Sequence, residues 1–144
     1  MTLKQISVFV ENQPGKLQQL TGVLADNKIN LRALSLAETS EFGIVRIIPE
    51  DIDAAAAVLK AEGFIHTVSK VVGVAIPDEP GGLNKVLSVL SDADINVEYM
   101  YAFLGGKKEQ HAYMIFHVQD ADAAVSALAE KGIACLTQEK LANM

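Results

Sequence analysis

Residues 11–17 read ENQPGKL and residues 77–83 read PDEPGGL, and this repeated stretch decides how the fold of the chain is interpreted. Both copies contain Pro-Gly-x-Leu, and Pro80 follows Pro14 by 66 positions. The same offset aligns the flanking residues: Ile6, Val8 and Val10 with Val72, Val74 and Ile76, Val23 and Leu24 with Val89 and Leu90, Asp26 with Asp92, and Ile29 and Asn30 with Ile95 and Asn96. Such self-similarity indicates one structural unit present twice.

Beyond the middle of each copy the offset grows to 69, from Asp51 to Asp120 and from Gly63 to Gly132. Three residues are therefore inserted in the second copy, around the Gly-Gly-Lys-Lys stretch at 105–108, a composition typical of a lengthened hairpin turn. The copies span residues 1–69 and 70–144, with no Pro-, Ser- or Gly-rich linker between them. We therefore predict two small domains that follow each other directly.

Within each copy the spacing of apolar residues changes in a fixed order. In the first copy, Ile6, Val8 and Val10 alternate as in a half-buried strand, and the apolar residues after Pro14 recur at helical spacing. The remainder predicts strands over 29–38 and 42–49, a helix over 51–62 that Asp51 caps and Gly63 stops, and a short strand over 66–69. This order predicts an α+β fold of two ferredoxin-like βαββαβ units, each an antiparallel sheet with both helices on one face.

Composition narrows the possible partners. Half of the 144 residues are apolar, which is enough for a buried core. The 12 basic and 18 acidic residues give a formal charge of -6, which disfavours nucleic acid, because phosphate binding needs a cationic surface. Neither a secretory leader nor an apolar run of ~20 residues is seen, so we expect a cytoplasmic protein without a membrane segment. Cys135 is the only cysteine, and we expect it to be a packed small residue rather than a nucleophile.

This fold supports several functions, and the chain lacks the residues that some of them need. RNA recognition needs aromatic strands with basic neighbours, and the aromatic stretch at 98–103 lies in an acidic context. The loop at 12–16 lacks the arginine of an acylphosphatase-like phosphate site. His111 and His117 would lie ~20 Å apart along one strand, too far for one metal ion. We therefore expect a protein that is not an enzyme and has no metal or cofactor.

The Pro-Gly loop before the first helix of each copy is the remaining candidate site. Glycine lets the chain pass close to a ligand, and the free N–H groups of a helix start favour a carboxylate. The alternative is that Pro-Gly only turns the chain into the helix. Two copies do not separate these interpretations, because a duplicated fold duplicates its turns.

The sequence Glu11-Asn12-Gln13-Pro14-Gly15-Lys16-Leu17, followed by Lys28-Ile29-Asn30-Leu31, resembles the ACT domain family over nearly the whole chain, twice. The resemblance implies ferredoxin-like units that pair edge to edge into an eight-stranded sheet and bind a free amino acid. It implies one ligand-binding site of Asn12, Gln13, Pro14 and Gly15 facing Asn96, and another of Asp78, Glu79, Pro80 and Gly81 facing Asn30, with Leu17, Leu31, Leu83 and Val97 as apolar neighbours. An asparagine suits such a ligand, because its amide both donates and accepts. Asn30 and Asn96 could equally be turn residues.

The resemblance also implies partners and alternatives. It points to a regulatory protein with a free amino acid as effector, a separate metabolic enzyme as partner, and a homodimer. The second loop departs from the pattern, since Asp78 replaces the asparagine and Gly82 replaces Lys16. We therefore expect unequal sites, with the Asn12 loop the stronger. A regulatory subunit of an acetolactate-synthase-like enzyme and a ligand-independent protein-interaction module, using Tyr101, are the alternatives.

Overall fold

The computed structural model describes residues 1–103 and 111–143 of the chain, which fold into eleven helices and strands. In chain order these are β1 Leu3–Glu11, α1 Lys16–Asp26, β2 Leu31–Glu38, β3 Phe42–Pro49, α2 Ile52–Ala61, β4 His66–Pro77, α3 Gly82–Asp92, β5 Val97–Phe103, β6 His111–Val118, α4 Ala121–Glu130 and α5 Gln138–Ala142. The hairpin turn predicted at 105–108 lies outside the described residues. None of the described helices is long and apolar enough to cross a membrane.

Two compact units make up the chain. The first unit is Lys4–Ser69, and the second unit is Met1–Leu3 together with Lys70–Met144. In the first unit the strand order is β2-β3-β1-β4, and β1 and β2 both pair antiparallel with β3. The Phe9 N–H donates to the carbonyl of Ile65, the residue directly before β4, at 2.9 Å. This is the predicted ferredoxin-like arrangement.

Both helices of the first unit pack on one face of its sheet, as predicted. Residues of a strand alternate between faces, so Ile6 and Val8 of β1 share a face with their partners Ile47 and Val45 of β3. This face forms the core with both helices; its buried residues are Ile6, Val8, Val10, Leu20, Leu24, Val45, Ile47, Ala55 and Leu59. Full burial of one such aliphatic side chain contributes about 1.5 to 3 kcal/mol, so these residues carry most of the stabilisation of the unit.

The second unit repeats this plan with the strand order β4-β6-β5. Val72 and Val74 of β4 pair with Phe116 and Met114 of β6. Its core contains Val72, Val74, Ile76, Val86, Leu90, Phe116, Val118, Ala121, Ala124, Leu128 and Cys135. Burial raises the pKa of the Cys135 thiol, so this residue is protonated near neutral pH. Cys135 is thus a packed core residue, as predicted.

The predicted eight-stranded sheet needs correction, because the described residues contain six strands. Two strands predicted around 66–69 and 72–76 are one continuous strand, β4. In addition, the second unit has a single bridge, Val74 to Cys135, in place of its last strand. Pairing ends there because Thr137 turns the chain into α5, its hydroxyl accepting from the Lys140 N–H at 3.1 Å.

The ends of the second helix of each unit follow the predicted capping chemistry. Asp51 accepts from the Ala54 N–H at 3.0 Å, and Asp120 accepts from the Ala123 N–H at 3.0 Å. Both helices are followed by a glycine with positive φ, +77° at Gly63 and +76° at Gly132. The matching caps explain why the two copies keep these residues at a constant offset.

Packing explains why the second copy has a glycine, Gly82, at the position of Lys16. Gly82 opens α3 directly beside the end of β4, and a Cβ on it would overlap the backbone carbonyl oxygen of Pro77. Backbone cannot move aside as a flexible side chain can. A lysine therefore cannot occupy this position without a change in the β4–α3 turn.

We predict that Gly82→Ala lowers the free energy of unfolding by about 1 to 3 kcal/mol, because the added methyl group overpacks this turn. Gly22→Ala is the matched control, since Gly22 lies inside α1 and its nearest neighbour to an added Cβ is Gln18 Nε2 at 3.9 Å. That change should raise stability by up to about 1 kcal/mol through helix propensity. Urea unfolding followed by circular dichroism measures both, and equal effects would contradict the packing argument.

Candidate functional site

The loop that joins β1 to α1 is exposed and ends in a left-handed glycine. Gly15 is the N-cap of α1 with φ +84°, and no atom lies within 4 Å of where its Cβ would be. The glycine is therefore required by its backbone conformation and not by crowding. Among the described residues no side chain caps α1, which leaves N–H groups of its first turn open to a ligand or water.

Asn12 ties this loop to the β2–β3 hairpin. Its backbone N–H donates to the Glu41 carbonyl at 2.9 Å, and its side-chain Nδ2 donates to Glu38 Oε2 at 3.1 Å and to the Thr39 carbonyl at 3.3 Å. Within the part of the chain that the structure describes, Oδ1 of Asn12 accepts no hydrogen bond. The amide nitrogen thus serves the fold, and the amide oxygen is the atom left for a ligand.

The equivalent loop of the second unit has the same turn and a different polar group. Gly81 is the N-cap of α3 with φ +88°, and no side chain in the described residues caps this helix. The Glu79 N–H donates to the Pro77 carbonyl at 2.9 Å, and the Gly82 N–H donates to the Glu79 carbonyl at 3.1 Å. The exposed side chain of Asp78 is a carboxylate with no donor, so it cannot reproduce the tether of Asn12.

Asn30 forms hydrogen bonds with Glu50 at the end of the first unit's sheet that lies away from the Pro-Gly loop. Its Nδ2 donates to Glu50 Oε2 at 2.9 Å, and the Glu50 N–H donates back to the Asn30 carbonyl at 2.9 Å. The second carboxylate oxygen of Glu50 lies 3.5 Å from Nη2 of Arg32. The sequence pattern does not predict this partner, because Glu50 is 20 residues away from Asn30.

In the first unit, the Pro-Gly loop and Asn30 lie at opposite ends of the sheet. Along β3, Phe42 is paired with Glu11 at the loop end, while Pro49 is paired with Leu31 at the asparagine end. Seven residue steps in a strand span about 23 Å. The predicted pairing of a loop with the asparagine of a different unit stays a prediction.

The four apolar residues predicted beside the loops pack within their own units. Leu17 and Leu31 lie against the core of the first unit, and Leu83 and Val97 lie against the core of the second. This packing accounts for their apolar character. Contact between any of them and a ligand remains a prediction.

A cavity of about 550 Å³ lies at the Asn96 end of the second unit. Its lining residues are Asp94, Ile95, Asn96, Glu98, Gln119 and Asp120. The lining of an adjoining cavity of about 320 Å³ includes Leu87, Leu90, Ser91 and Val97. Asn96 and Val97 were predicted site residues, whereas Asp94, Glu98, Gln119 and Asp120 were missed. Comparison of charges between aligned positions of the two copies would have found Asp94, Glu98 and Gln119, which align with Lys28, Arg32 and Glu50, but not Asp120, which aligns with Asp51.

The aromatic stretch at 98–103 does not form an exposed platform. Phe103 and its strand partner Tyr113 are buried, with ring centroids 5.2 Å apart. Tyr99 stacks on His117 at 4.6 Å between ring centroids. These rings pack between β5 and β6 and are not an exposed surface on which bases could stack. Docking of a protein partner on Tyr101 stays a prediction.

Comparisons with known proteins bear on the family and the fold of the chain. A family model described as an ACT domain pair matches residues 1–144. A crystal structure from Bacteroides thetaiotaomicron is 38% identical with a TM-score of 0.92, covering 100% of this chain and 98% of that one. No curated protein gives a significant match.

Two further structures share the fold at low identity. The ligand-free regulatory subunit of aspartate kinase from Thermus thermophilus is 18% identical with a TM-score of 0.61, covering 88% of this chain and 91% of that one. The regulatory subunit of aspartate kinase from Thermus flavus is also 18% identical, with a TM-score of 0.56 and coverage of 88% and 90%. At this identity the likeness concerns the fold alone.

The hydrogen bond from Asn12 to Glu38 predicts that a negative charge at position 12 destabilises the protein. Asn12→Asp puts a carboxylate where the amide nitrogen now lies 3.1 Å from Glu38 Oε2. We expect this like-charge contact to lower the free energy of unfolding by about 0.5 to 1 kcal/mol, and added salt to reduce the loss. The double variant Asn12→Asp/Glu38→Gln restores a donor and an acceptor and should recover stability. Urea unfolding of the four proteins of this cycle tests the tether, which is refuted if the two substitutions act additively.

Proposed function

Because this chain belongs to the ACT domain pair family, we propose that it is a non-catalytic regulatory protein that binds a free amino acid and modulates a separate metabolic enzyme. The observation that carries the proposal is the pair of exposed Pro-Gly turns. Each turn opens a helix with a left-handed glycine at the N-cap, and no side chain of the described residues caps either helix. Two such turns in one chain give two candidate positions for an amino-acid carboxylate.

The first loop has groups of both kinds that an amino acid needs. N–H groups at a helix start favour a carboxylate, by under ~1 kcal/mol at a wet site and up to ~2 kcal/mol where it is partly buried. Oδ1 of Asn12 can accept a hydrogen bond from the ligand's ammonium group. The tether from Nδ2 to the β2–β3 hairpin keeps that oxygen in place before a ligand arrives. A site formed in advance costs less ordering on binding.

The second loop is proposed to bind more weakly. Its Asp78 carboxylate can attract an ammonium group but repels the carboxylate of the same ligand. Gly82 offers no side chain, whereas Lys16 of the first loop is a cation at the corresponding position. Residues Gln13, Pro14, Glu79 and Pro80 shape the two turns in this proposal.

Regulation would follow from a ligand that binds two states of the protein unequally. Such a ligand shifts the population toward the state it binds more tightly, by no more than the difference in the two binding free energies. A homodimer is the assembly that we propose, with a separate enzyme as partner. Support for a regulatory role comes from the family and from the fold shared with aspartate kinase regulatory subunits.

A ligand-independent protein-interaction module is the second candidate function. The observation that favours it is a set of exposed apolar side chains in the first unit. Phe9, Phe42 and Ile65 are 39%, 49% and 74% exposed. Phe9 and Phe42 lie on the sheet face opposite the helices, since Val8 and Val10 occupy the helix face. Exposed apolar groups of this kind often mark protein-binding surfaces.

A thermal-shift screen of the twenty amino acids at millimolar concentration separates the two functions. A ligand at ~100 times its dissociation constant adds ~2.7 kcal/mol, which raises the Tm by several degrees for a protein of this size. We expect a selective rise in the wild type that Asn12→Ala reduces. Asn27→Ala is the matched control, because Asn27 is an exposed asparagine at the far end of α1 whose Nδ2 donates to the Val23 carbonyl at 2.9 Å.

The outcomes of the screen are distinct. A rise that both asparagine variants keep would contradict the role of Asn12 while leaving amino-acid binding in place. A flat screen would contradict amino-acid sensing and favour the interaction module. That module predicts loss of partner binding in Phe42→Ser, with no response to any amino acid.

A further inference from the structure

Residues 32–38 of the first unit read RALSLAE, and the stretch 33–37 within it is the same in both directions. This palindrome lies in β2, where every residue from Ala33 to Ala37 keeps a regular register with β3. When two such strands run antiparallel about Ser35, alanine lies opposite alanine and leucine lies opposite leucine. The palindrome therefore indicates a strand that fits a second copy of itself.

The position of β2 leaves one of its sides open to such a copy. Among the described residues, β2 lies at the end of the sheet order and pairs with β3 alone. An edge strand presents a row of N–H and C=O groups that can pair with another strand, and many proteins block it with proline, lysine or a bulge. The stretch from Ala33 to Ala37 contains no proline and no charge, and the register shift of β2 comes before it.

The two leucines of the palindrome are exposed on the same face of this edge. Leu34 and Leu36 pair with Ile47 and Val45 of β3, so both lie on the helix face of the sheet. They are 47% and 54% exposed, whereas Ile47 and Val45 are fully buried. An apolar strip thus continues from the core onto β2, and a partner strand beside β2 would cover it with apolar side chains.

The residues that flank the palindrome have opposite charges. Arg32 precedes it and Glu38 follows it, so an antiparallel copy brings each arginine near the glutamate of the other chain, which is favourable across a sheet. Oε2 of Glu38 accepts from Asn12, and its carboxylate has a second oxygen for another donor. Because Arg32 lies at the register shift, the palindrome fixes the register and the charges add to it. A parallel copy would place arginine beside arginine.

We propose that β2 binds β2 of a second copy of this chain, antiparallel about a two-fold axis at Ser35. Leu34 then lies opposite Leu36 of the partner subunit, and Ser35 lies opposite Ser35 of the partner subunit. An interface that uses the same patch on both copies closes at two chains. The proposal gives an interface to the homodimer of the proposed function and rests on that part of it alone, since pairing of β2 needs no ligand.

Sedimentation equilibrium of the full chain without ligand tests this interface. We expect a dimer of the wild type, and Leu36→Lys should raise its dissociation constant by about tenfold or more, because the charge would be buried against Leu34 of the partner subunit. Ala102→Lys is the matched control and should dimerise as the wild type does. Ala102 is the exposed residue of β5 at the position that aligns with Leu36, and it pairs with Met114 as Leu36 pairs with Val45. Circular dichroism should show both variants folded, since both positions are exposed.

Ser35→Cys tests the register. The new thiols would lie opposite each other, with Cα atoms about 4.5 to 5.5 Å apart, which a disulfide can bridge. Leu34→Cys is the matched control, because its thiols would be offset by two residues, about 7 to 8 Å apart. Mild oxidation and electrophoresis without reductant should therefore crosslink Ser35→Cys, but neither Leu34→Cys nor the wild type, whose single cysteine, Cys135, is buried.

Several results would contradict this interface. A monomeric wild type, a dimer that Leu36→Lys leaves intact, or equal weakening by Ala102→Lys would each overturn the proposal. Absence of a crosslink in Ser35→Cys, or equal crosslinking of Leu34→Cys, would overturn the register about Ser35 and the proposal with it. A monomer that responds to an amino acid in the thermal-shift screen would overturn the interface and leave the proposed ligand binding in place, so the two proposals fail separately.

Discussion

The pairing of β1 with β3 is the constraint on which the first unit depends. Ile6 opposite Ile47 and Val8 opposite Val45 put one apolar set under both helices. A slip of one residue would turn that whole set to the other face, so burial enforces the register. The register in turn places the Pro-Gly loop beside the β2–β3 hairpin and places Asn30 at the far end. The β4–β6 pairing does the same in the second unit.

Polar side chains at the ends of these sheets are free to differ because the core does not involve them. The first unit satisfies its polar groups internally, through Asn12 with Glu38 and through Asn30 and Arg32 with Glu50. The second unit has the same backbone and an open, acidic cavity at the corresponding end. The two copies therefore share the apolar pattern that folds them and differ in the polar side chains at the ends of their sheets.

The three glycines of the Pro-Gly turns are required by two different constraints. Gly15 and Gly81 are required by positive φ, with open space around the missing Cβ. Gly82 is required by close contact with the Pro77 carbonyl, although its φ is not in the left-handed region. The first constraint maintains the loop that we propose as a ligand site, and the second explains why the second loop departs from the first.

Sequence periodicity was sufficient to predict the repeat, the ferredoxin-like units, the Asp51 cap and the core positions. The repeat follows from aligning the two halves of the sequence. The other features depend on neighbours within a few residues, so local spacing determines them. The merger of two predicted strands into β4, the occupied amide of Asn12, the Glu50 partner of Asn30 and the cavity at Glu98 were decided only by the tertiary structure. Each of the side-chain contacts among them joins segments 20 or more residues apart, and no local pattern specifies which distant side chain will arrive there.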